Sequence, residues 1–507
     1  MDSYFILFYF LILLLAGPIT ILPNNHQVIQ FWRALSSDSL NDLEDKFVLP
    51  QGSYWMGESK YGSSLYIRPV YNRFWEIITG AENGWILTGT PGIGKTFFTF
   101  FLFLKIRKTQ PDAIIVRINP DKALVFYPGG GVHRTDSKNI SDEITSKKTN
   151  WVIADSVVTE VENMKCQTVM VTSPKMSGYE RHRKLGFEVR CMPVWDLSEI
   201  EKLREHYYPH VDQEEVEDNF DIWGGVPRTV LQFGRNISWQ RHMRIALNIG
   251  TITKCMEFDG QEGYDNISDV CGRLVHLIPM DDVYVDTQIQ WASQKLANFA
   301  LDTLIAKNAK EAINLILSTQ GSGSYGSLRG DLFEKLAHRI ISAGGDFMVR
   351  DLETDSTSQE SFKSYPTFQF KEIREVKKGY YNIPRSKNFA TIDSLVPPDN
   401  LFQMTVSTTH SINERGLERL NLPGGPIKLY FITPEACLRN FKKAKLGEAW
   451  RTRIKQSVVA VELSKEIVEE HGNQNHHIMR WGMKHERDQD DEDGSRKHKL
   501  AKNEHGE

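Results

Sequence analysis

Eight consecutive residues, Gly89-Thr90-Pro91-Gly92-Ile93-Gly94-Lys95-Thr96, fit the spacing GxxxxGK[ST] at every fixed position. The chemistry of such a loop is phosphate binding. Its glycines let backbone N–H groups turn inward around phosphate oxygens. A helix starting behind the loop adds the partial positive charge of its N-terminus. Lys95 is placed to reach the β- and γ-phosphates, and the Thr96 hydroxyl to ligate Mg²⁺. ATP and Mg²⁺ are therefore the expected cofactors. The metal shell needs a second acidic group, and Asp155 ends the apolar run Trp151-Val152-Ile153-Ala154 where that group belongs. Ser156 follows it, where many ATPases carry a catalytic glutamate. Slow hydrolysis or a nucleotide switch is expected unless Glu160 or Glu162 substitutes. Ser173, behind the next apolar run, is placed to sense the γ-phosphate. Arg228, in the first turn after Gly224-Gly225-Val226-Pro227, is a candidate second sensor.

These residues need a scaffold, and the apolar runs supply one. Trp85-Ile86-Leu87-Thr88 reads as the strand feeding the loop. The stretch FFTFFLFLKIRK reads as a helix apolar all round, hence buried. AIIVRI (113–118), ALVFY (123–127), WVIAD (151–155) and TVMVTS (168–173) suit parallel strands buried on both faces. From about Leu197 to Lys310 the pattern reads as mostly helical. The Gly/Ser-rich stretch Thr319–Ser324 reads as a linker. Beyond it, DLFEKLAHRIISAGG reads as an amphipathic helix. The strand-like segments DFMVRDL, TFQFKEI, FATIDSL, LFQMTVS and IKLYFIT follow.

The expected layout is an apolar N-terminal segment (1–22), a linker (23–50) and a phosphate-loop core with lid (51–235). A helical domain with linker (236–320), a second α/β domain (321–440), a C-terminal helical region (441–471) and a charged tail (472–507) complete it. The fold class is α/β, with a parallel sheet and helical lid followed by a smaller α/β domain.

Composition excludes several classes. Of 507 residues, 40% are hydrophobic and 25% charged, which excludes a mainly disordered chain, a collagen and a multi-span membrane protein. Lys and Arg number 61 against 65 Asp and Glu, a net charge of −4, so a wholesale basic nucleic-acid binder is not indicated. The cysteines number five with no CxxC pair, which excludes a disulfide scaffold and a zinc ribbon. Against this reducing-compartment composition, Tyr4–Leu22 is almost wholly apolar and uncharged. It reads as a signal peptide, a signal anchor, or a misplaced start or buried segment.

The order of loop, acidic strand, polar strand and helical lid with arginine resembles AAA+ and STAND-type NTPases. More specifically, GSYWMGESKYGSSLYIRPVYNRFWEII before ILTGTPGIGKTFF, then WVIADS, TSPK and WGGVPR, resembles the NTPase shared by Crinkler effectors and retrotransposon hot spot proteins. The resemblance covers roughly residues 45–440. It implies a restriction-endonuclease-like domain behind the NTPase and delivery into a host cell, usually its nucleus. It implies nucleic acid as a partner, DNA before RNA, with host nuclear proteins and a homo-oligomer as further partners. The LxLFLAK-like header of Crinklers has no counterpart, and the apolar segment stands in its place. Two alternatives stay open: a non-hydrolysing switch whose second domain only binds, and a resident nuclear protein of a transposable-element family.

A restriction-endonuclease-like core brings carboxylates together around Mg²⁺, from a helical Glu, a strand Asp and a strand Glu/Gln-x-Lys. Glu334, Asp393 and Gln403 fit that order as catalytic candidates, with Asp393 as metal ligand and a ten-residue interval from Asp393 to Gln403. The lysine position holds Thr405, so activity is expected to be weak. Lys387 and Lys428 are the candidates to supply the charge from a neighbouring element.

Overall fold

Uninterrupted runs of Ile, Val, Trp and Met become central strands because both their faces can be buried. The computed structural model describes residues 19–35, 45–80, 84–119, 122–156, 165–174, 179–234, 274–317, 326–385, 391–420 and 425–472, with positions 236, 238, 239 and 252. Most of the N-terminal apolar segment, the charged tail, Glu160, Glu162 and Lys387 lie outside these residues. The chain divides into two units, Met1–Ala246 with Glu257–Ser293, and Leu247–Met256 with Gln294–Glu507. The division at Ser293 falls ahead of the Gly/Ser-rich stretch read as the linker.

The first unit carries β1 (Thr20–Ile21), β2 (Lys46–Val48), β3 (Ser64–Tyr66), β4 (Trp85–Thr88), β5 (Ile115–Asn119) and β6 (Lys122–Phe126). It continues with β7 (Val132–Thr135), β8 (Trp151–Asp155), β9 (Gln167–Val171), β10 (Glu188–Cys191), β11 (Val275–Pro279) and β12 (Thr287–Trp291). Its main sheet runs β1-β7-β6-β5-β8-β9-β4-β10. The five strands from β5 to β10 pair in parallel, whereas β6, β7 and β1 pair antiparallel. The sheet is therefore mixed and not wholly parallel. Only Pro120 and Asp121 separate β5 from β6, too short a connection for a parallel crossover.

The segment Val275–Trp291 corrects the helical reading of 197–310, because β11 and β12 form an antiparallel hairpin there. The loop helix, Lys95–Thr109, buries Phe98, Phe100, Phe101 and Phe103. Phe100 stacks on Trp55 with centroids 5.2 Å apart, and Phe98 meets Phe74 edge-on at 5.8 Å. An all-round apolar helix thus sits inside a core, as its composition requires.

The second unit carries β13 (Gly345–Asp351), β14 (Thr357–Phe362), β15 (Thr367–Phe370), β16 (Tyr381–Pro384), β17 (Ser394–Val396), β18 (Asn400–Met404), β19 (Ile427–Pro434) and β20 (Ile454–Val461). They form one mixed sheet in the order β14-β13-β20-β19-β18-β17-β16-β15. Here β20 corrects the helical reading of 441–471. It lies parallel to β19 and antiparallel to β13, so it is central to the sheet. The helices Gln294–Leu317 and Gly326–Ala343 belong to this unit. Among the described residues, no helix is long and apolar enough to cross a membrane.

Candidate functional sites

The residues read as a phosphate loop, Gly89–Thr96, run from the end of β4 into the helix Lys95–Thr109. Gly89 has φ 140, and a Cβ there would lie 2.8 Å from the Met192 carbonyl oxygen. Gly94 caps the helix at φ 96, in the left-handed region that favours glycine. The loop is held from several sides. The Trp195 indole N–H donates to Ile93 O at 2.8 Å, and the Tyr71 hydroxyl to Gly94 O at 3.3 Å. The Thr90 hydroxyl accepts from the Leu277 backbone N–H of β11 at 3.0 Å. Pro91 is exposed and Gly92 half-buried in the turn between β4 and the helix.

Lys95 folds its ammonium under the loop, donating to Gly89 O at 2.7 Å and Thr90 O at 3.0 Å. Burial lowers its pKa to about 8, and the charge of Arg228 adds to that, while Cys191 and Asp155 oppose it. Strand β9 lies between β4 and β8, which brings the Asp155 end of β8 to the loop side of the sheet. The Thr96 hydroxyl donates to Asp155 Oδ1 at 3.2 Å. A hydroxyl and a carboxylate so placed are hard oxygen donors that fit Mg²⁺.

Ser173 is exposed just beyond β9, and the preceding Thr172 N–H donates to Leu87 O of β4. It therefore lies at the loop end of the sheet. Arg228 runs beside the loop, because a Cβ on Gly92 would lie 3.3 Å from Arg228 Cβ. Gly225 lets the segment ahead of Arg228 come close to Trp195. A Cβ on Gly225 would lie 1.9 Å from Trp195 O, whose residue N–H donates to Gly225 O.

Two arginines at this site escape a reading of the sequence. Arg68 is buried, bonds Glu199 through both Nε and Nη2, and donates to Pro193 O and Val194 O. Its guanidinium also lies 4.3 Å from the Trp195 ring centroid. Arg68 thereby fixes the segment that grips the loop. Arg117, on β5, pairs its Nη2 with Asp155 Oδ2 at 3.1 Å. The only trace of either residue in the sequence is an arginine set in or against an apolar run.

In the second unit, Glu334 lies on the helix Gly326–Ala343 and accepts from its neighbour Lys335 Nζ at 2.8 Å. His338 Nε2 lies 3.6 Å from the same carboxylate, and Lys335 also donates to Gln294 Oε1. His338 Nδ1 meets the Tyr381 hydroxyl at 3.0 Å, which in turn accepts from Ser394 Oγ. Asp393 is tied to β18. Its N–H donates to Phe402 O, and its Oδ2 accepts from the Met404 N–H at 2.6 Å.

The two carboxyls feel each other. Burial, then the charge of Glu334, pushes Asp393 up to about 7. Burial works against ionising Glu334 too, but Lys335 and His338 overcome it and hold Glu334 below the ordinary carboxylate range. The contacts Glu334–His338, His338–Tyr381 and Tyr381–Ser394 bring Glu334 into the neighbourhood of Asp393. Gln403 leaves β18 on the side opposite Phe402, and its Oε1 is buried without a hydrogen-bond partner among the described residues. Lys428 is exposed and pairs with Asn400 at the other end of β18, away from Thr405. The ammonium beside the carboxylates is that of Lys335, a residue that helical periodicity alone does not single out. Among the described residues, no group of three His, Cys, Asp or Glu side chains is arranged to hold a metal ion.

The chain is similar to two curated proteins of Phytophthora infestans, Crinkler effector protein 16 and Crinkler effector protein 15. It is 24% identical to the first over 405 residues and 24% identical to the second over 404. Each match takes in 75% of this chain, which spans 64% of the relative's length. No protein-family model matches the chain.

Proposed function

We propose that this chain is a secreted Crinkler-like effector whose first unit is an ATP-binding P-loop NTPase coupled to a restriction-endonuclease-like second unit acting on nucleic acid in a host nucleus. The observation that carries the nucleotide reading is the Gly89–Thr96 loop between β4 and a buried helix, with Thr96 bonded to Asp155. Backbone N–H groups of the loop and the helix N-terminus would meet phosphate oxygens. Lys95 would exchange its loop carbonyls for phosphate, with Arg228 and Ser173 at the γ-phosphate end. Thr96 and Asp155 would hold Mg²⁺, which when bound neutralises phosphate charge. The similarity to two effector proteins supports the effector reading, and DNA is the favoured nucleic acid.

A second reading rests on one observation. Ser156 follows Asp155 at φ 62, bonds Asp155 Oδ1 with its hydroxyl, and offers no carboxylate to orient a water. A nucleotide switch without turnover fits that residue. Incubation of the purified chain with radiolabelled ATP separates the two. Turnover abolished by Lys95→Ala supports the ATPase, and binding without turnover supports the switch.

The nuclease reading carries its own prediction. Wild type is expected to nick plasmid DNA slowly in Mg²⁺, and Asp393→Ala to reduce nicking about 100-fold, as for loss of a group that stabilises transition-state charge. Lys335→Ala is expected to reduce it comparably, and Lys428→Ala to leave it unchanged. Equal nicking by wild type and Asp393→Ala would refute the site. DNA binding without cleavage by any of them would make the unit a degenerate nuclease fold kept for binding.

A further inference from the structure

We propose that Arg117 is an internal counter-ion at Asp155, so that this site binds a nucleoside triphosphate with little dependence on magnesium. The inference rests on the nucleotide reading above and concerns the charge that loop works with.

Arg117 stands on β5 opposite Ile153 of β8, two positions short of Asp155 on the same strand face. The guanidinium rises along the sheet to reach the carboxylate from below, with Nη2 3.1 Å from Oδ2. Its side chain is 1% exposed, and that of Asp155 8%. Arg117 Nε and Nη1 are buried with no hydrogen-bond partner among the described residues, and Cζ lies 5.5 Å from the Phe100 ring centroid. A guanidinium buried with two unpaired N–H groups carries a large desolvation cost. Asp155 is its salt-bridge partner, so the ion pair resists being opened.

The other oxygen, Asp155 Oδ1, receives the hydroxyls of Thr96 and Ser156, each at 3.2 Å. A divalent cation brought to Thr96 and Oδ1 therefore arrives beside a fixed positive charge, in surroundings of low dielectric where like charges repel strongly. A triphosphate meets the opposite balance. Lys95, Arg117 and Arg228 stand against the single carboxylate of Asp155 among these four groups. In phosphate loops generally the metal neutralises the β- and γ-oxygens. Here Arg117 cancels the Asp155 charge that a triphosphate would otherwise face.

The test is the ratio of two dissociation constants for a fluorescent ATP analogue on the full chain, one in EDTA and one in millimolar magnesium. The wild-type ratio is expected to stay within about fivefold, less than the loss of one charge-assisted contact. A larger loss in EDTA overturns the proposal. Arg117→Met, checked for fold by circular dichroism, leaves Asp155 as a bare carboxylate facing phosphate. Its affinity is expected to fall about tenfold or more in EDTA and to recover in magnesium. An unchanged ratio in a folded Arg117→Met also overturns the proposal. The wild-type ratio needs no variant and decides the question if Arg117→Met does not fold. Binding in neither buffer removes the nucleotide reading and this inference together, whereas binding that requires magnesium removes the inference alone.

Discussion

Lys95→Ala is expected to weaken ATP binding by about 10- to 150-fold, the range set by a charge-assisted contact of about 1.5–3 kcal/mol. The ammonium is partly buried and bonded to Gly89 O and Thr90 O of the loop. Truncation to alanine takes the donor from both carbonyls and the counter-charge from any phosphate above them. Arg117 cannot replace it, because its charge is committed to Asp155 on the neighbouring strand. A titration with a fluorescent ATP analogue measures the change, with circular dichroism confirming the fold. Unchanged affinity in a folded variant would contradict the assignment of Gly89–Thr96 as a phosphate loop.

Arg68→Ala is expected to cost the first unit about 3–5 kcal/mol of unfolding free energy, the scale for breaking a buried ion pair from one side. The guanidinium is 1% exposed and holds Glu199, 17% exposed, through two N–H groups. Its loss leaves the carboxylate poorly compensated and takes donors from Pro193 O and Val194 O. It also empties the space against the Trp195 ring. Urea denaturation reads the loss as a lower midpoint at unchanged slope. Joint replacement, Arg68→Met with Glu199→Leu, is expected to recover part of it, because no buried charge is left behind although Pro193 O, Val194 O and the Asp196 N–H lose their partners. A single variant as stable as wild type would mean that the pair only decorates the fold.

The parts of this fold that were legible are those fixed by neighbours in sequence. Eight contiguous residues specify the loop, and runs such as Trp151–Asp155 and Gln167–Val171 can be little else than buried strands. Strand direction is less local. The run at Ala123–Phe126 was readable as a strand, but its antiparallel pairing depends on the two-residue connection from β5. Ile454–Val461 falls within the stretch 441–471 that was read as helical. Its placement between β13 and β19 makes it a strand, because both of its backbone edges are then paired.

The candidate sites divide in the same way. Asp155 announces itself at the end of an apolar run, but Arg117 comes 38 positions earlier, as one charged residue inside another such run. Arg68 and Glu199 are 131 positions apart. In the second unit, Glu334 and Asp393 were readable from their order, whereas Lys335 reads as one more lysine on an amphipathic helix. Only the packing of that helix shows its ammonium 5% exposed against Glu334.

The indole of Trp195 has an optical consequence. Its N–H is bonded to the Ile93 carbonyl, its ring faces the Arg68 guanidinium, and the residue is 5% exposed. Indole emission depends on what its N–H touches and on nearby charge, so this chromophore reads the state of the loop directly. Subtracting the spectrum of Trp195→Phe isolates it from the other tryptophans, and the difference signal becomes a label-free clock for loop motion on the millisecond scale of a stopped-flow trace.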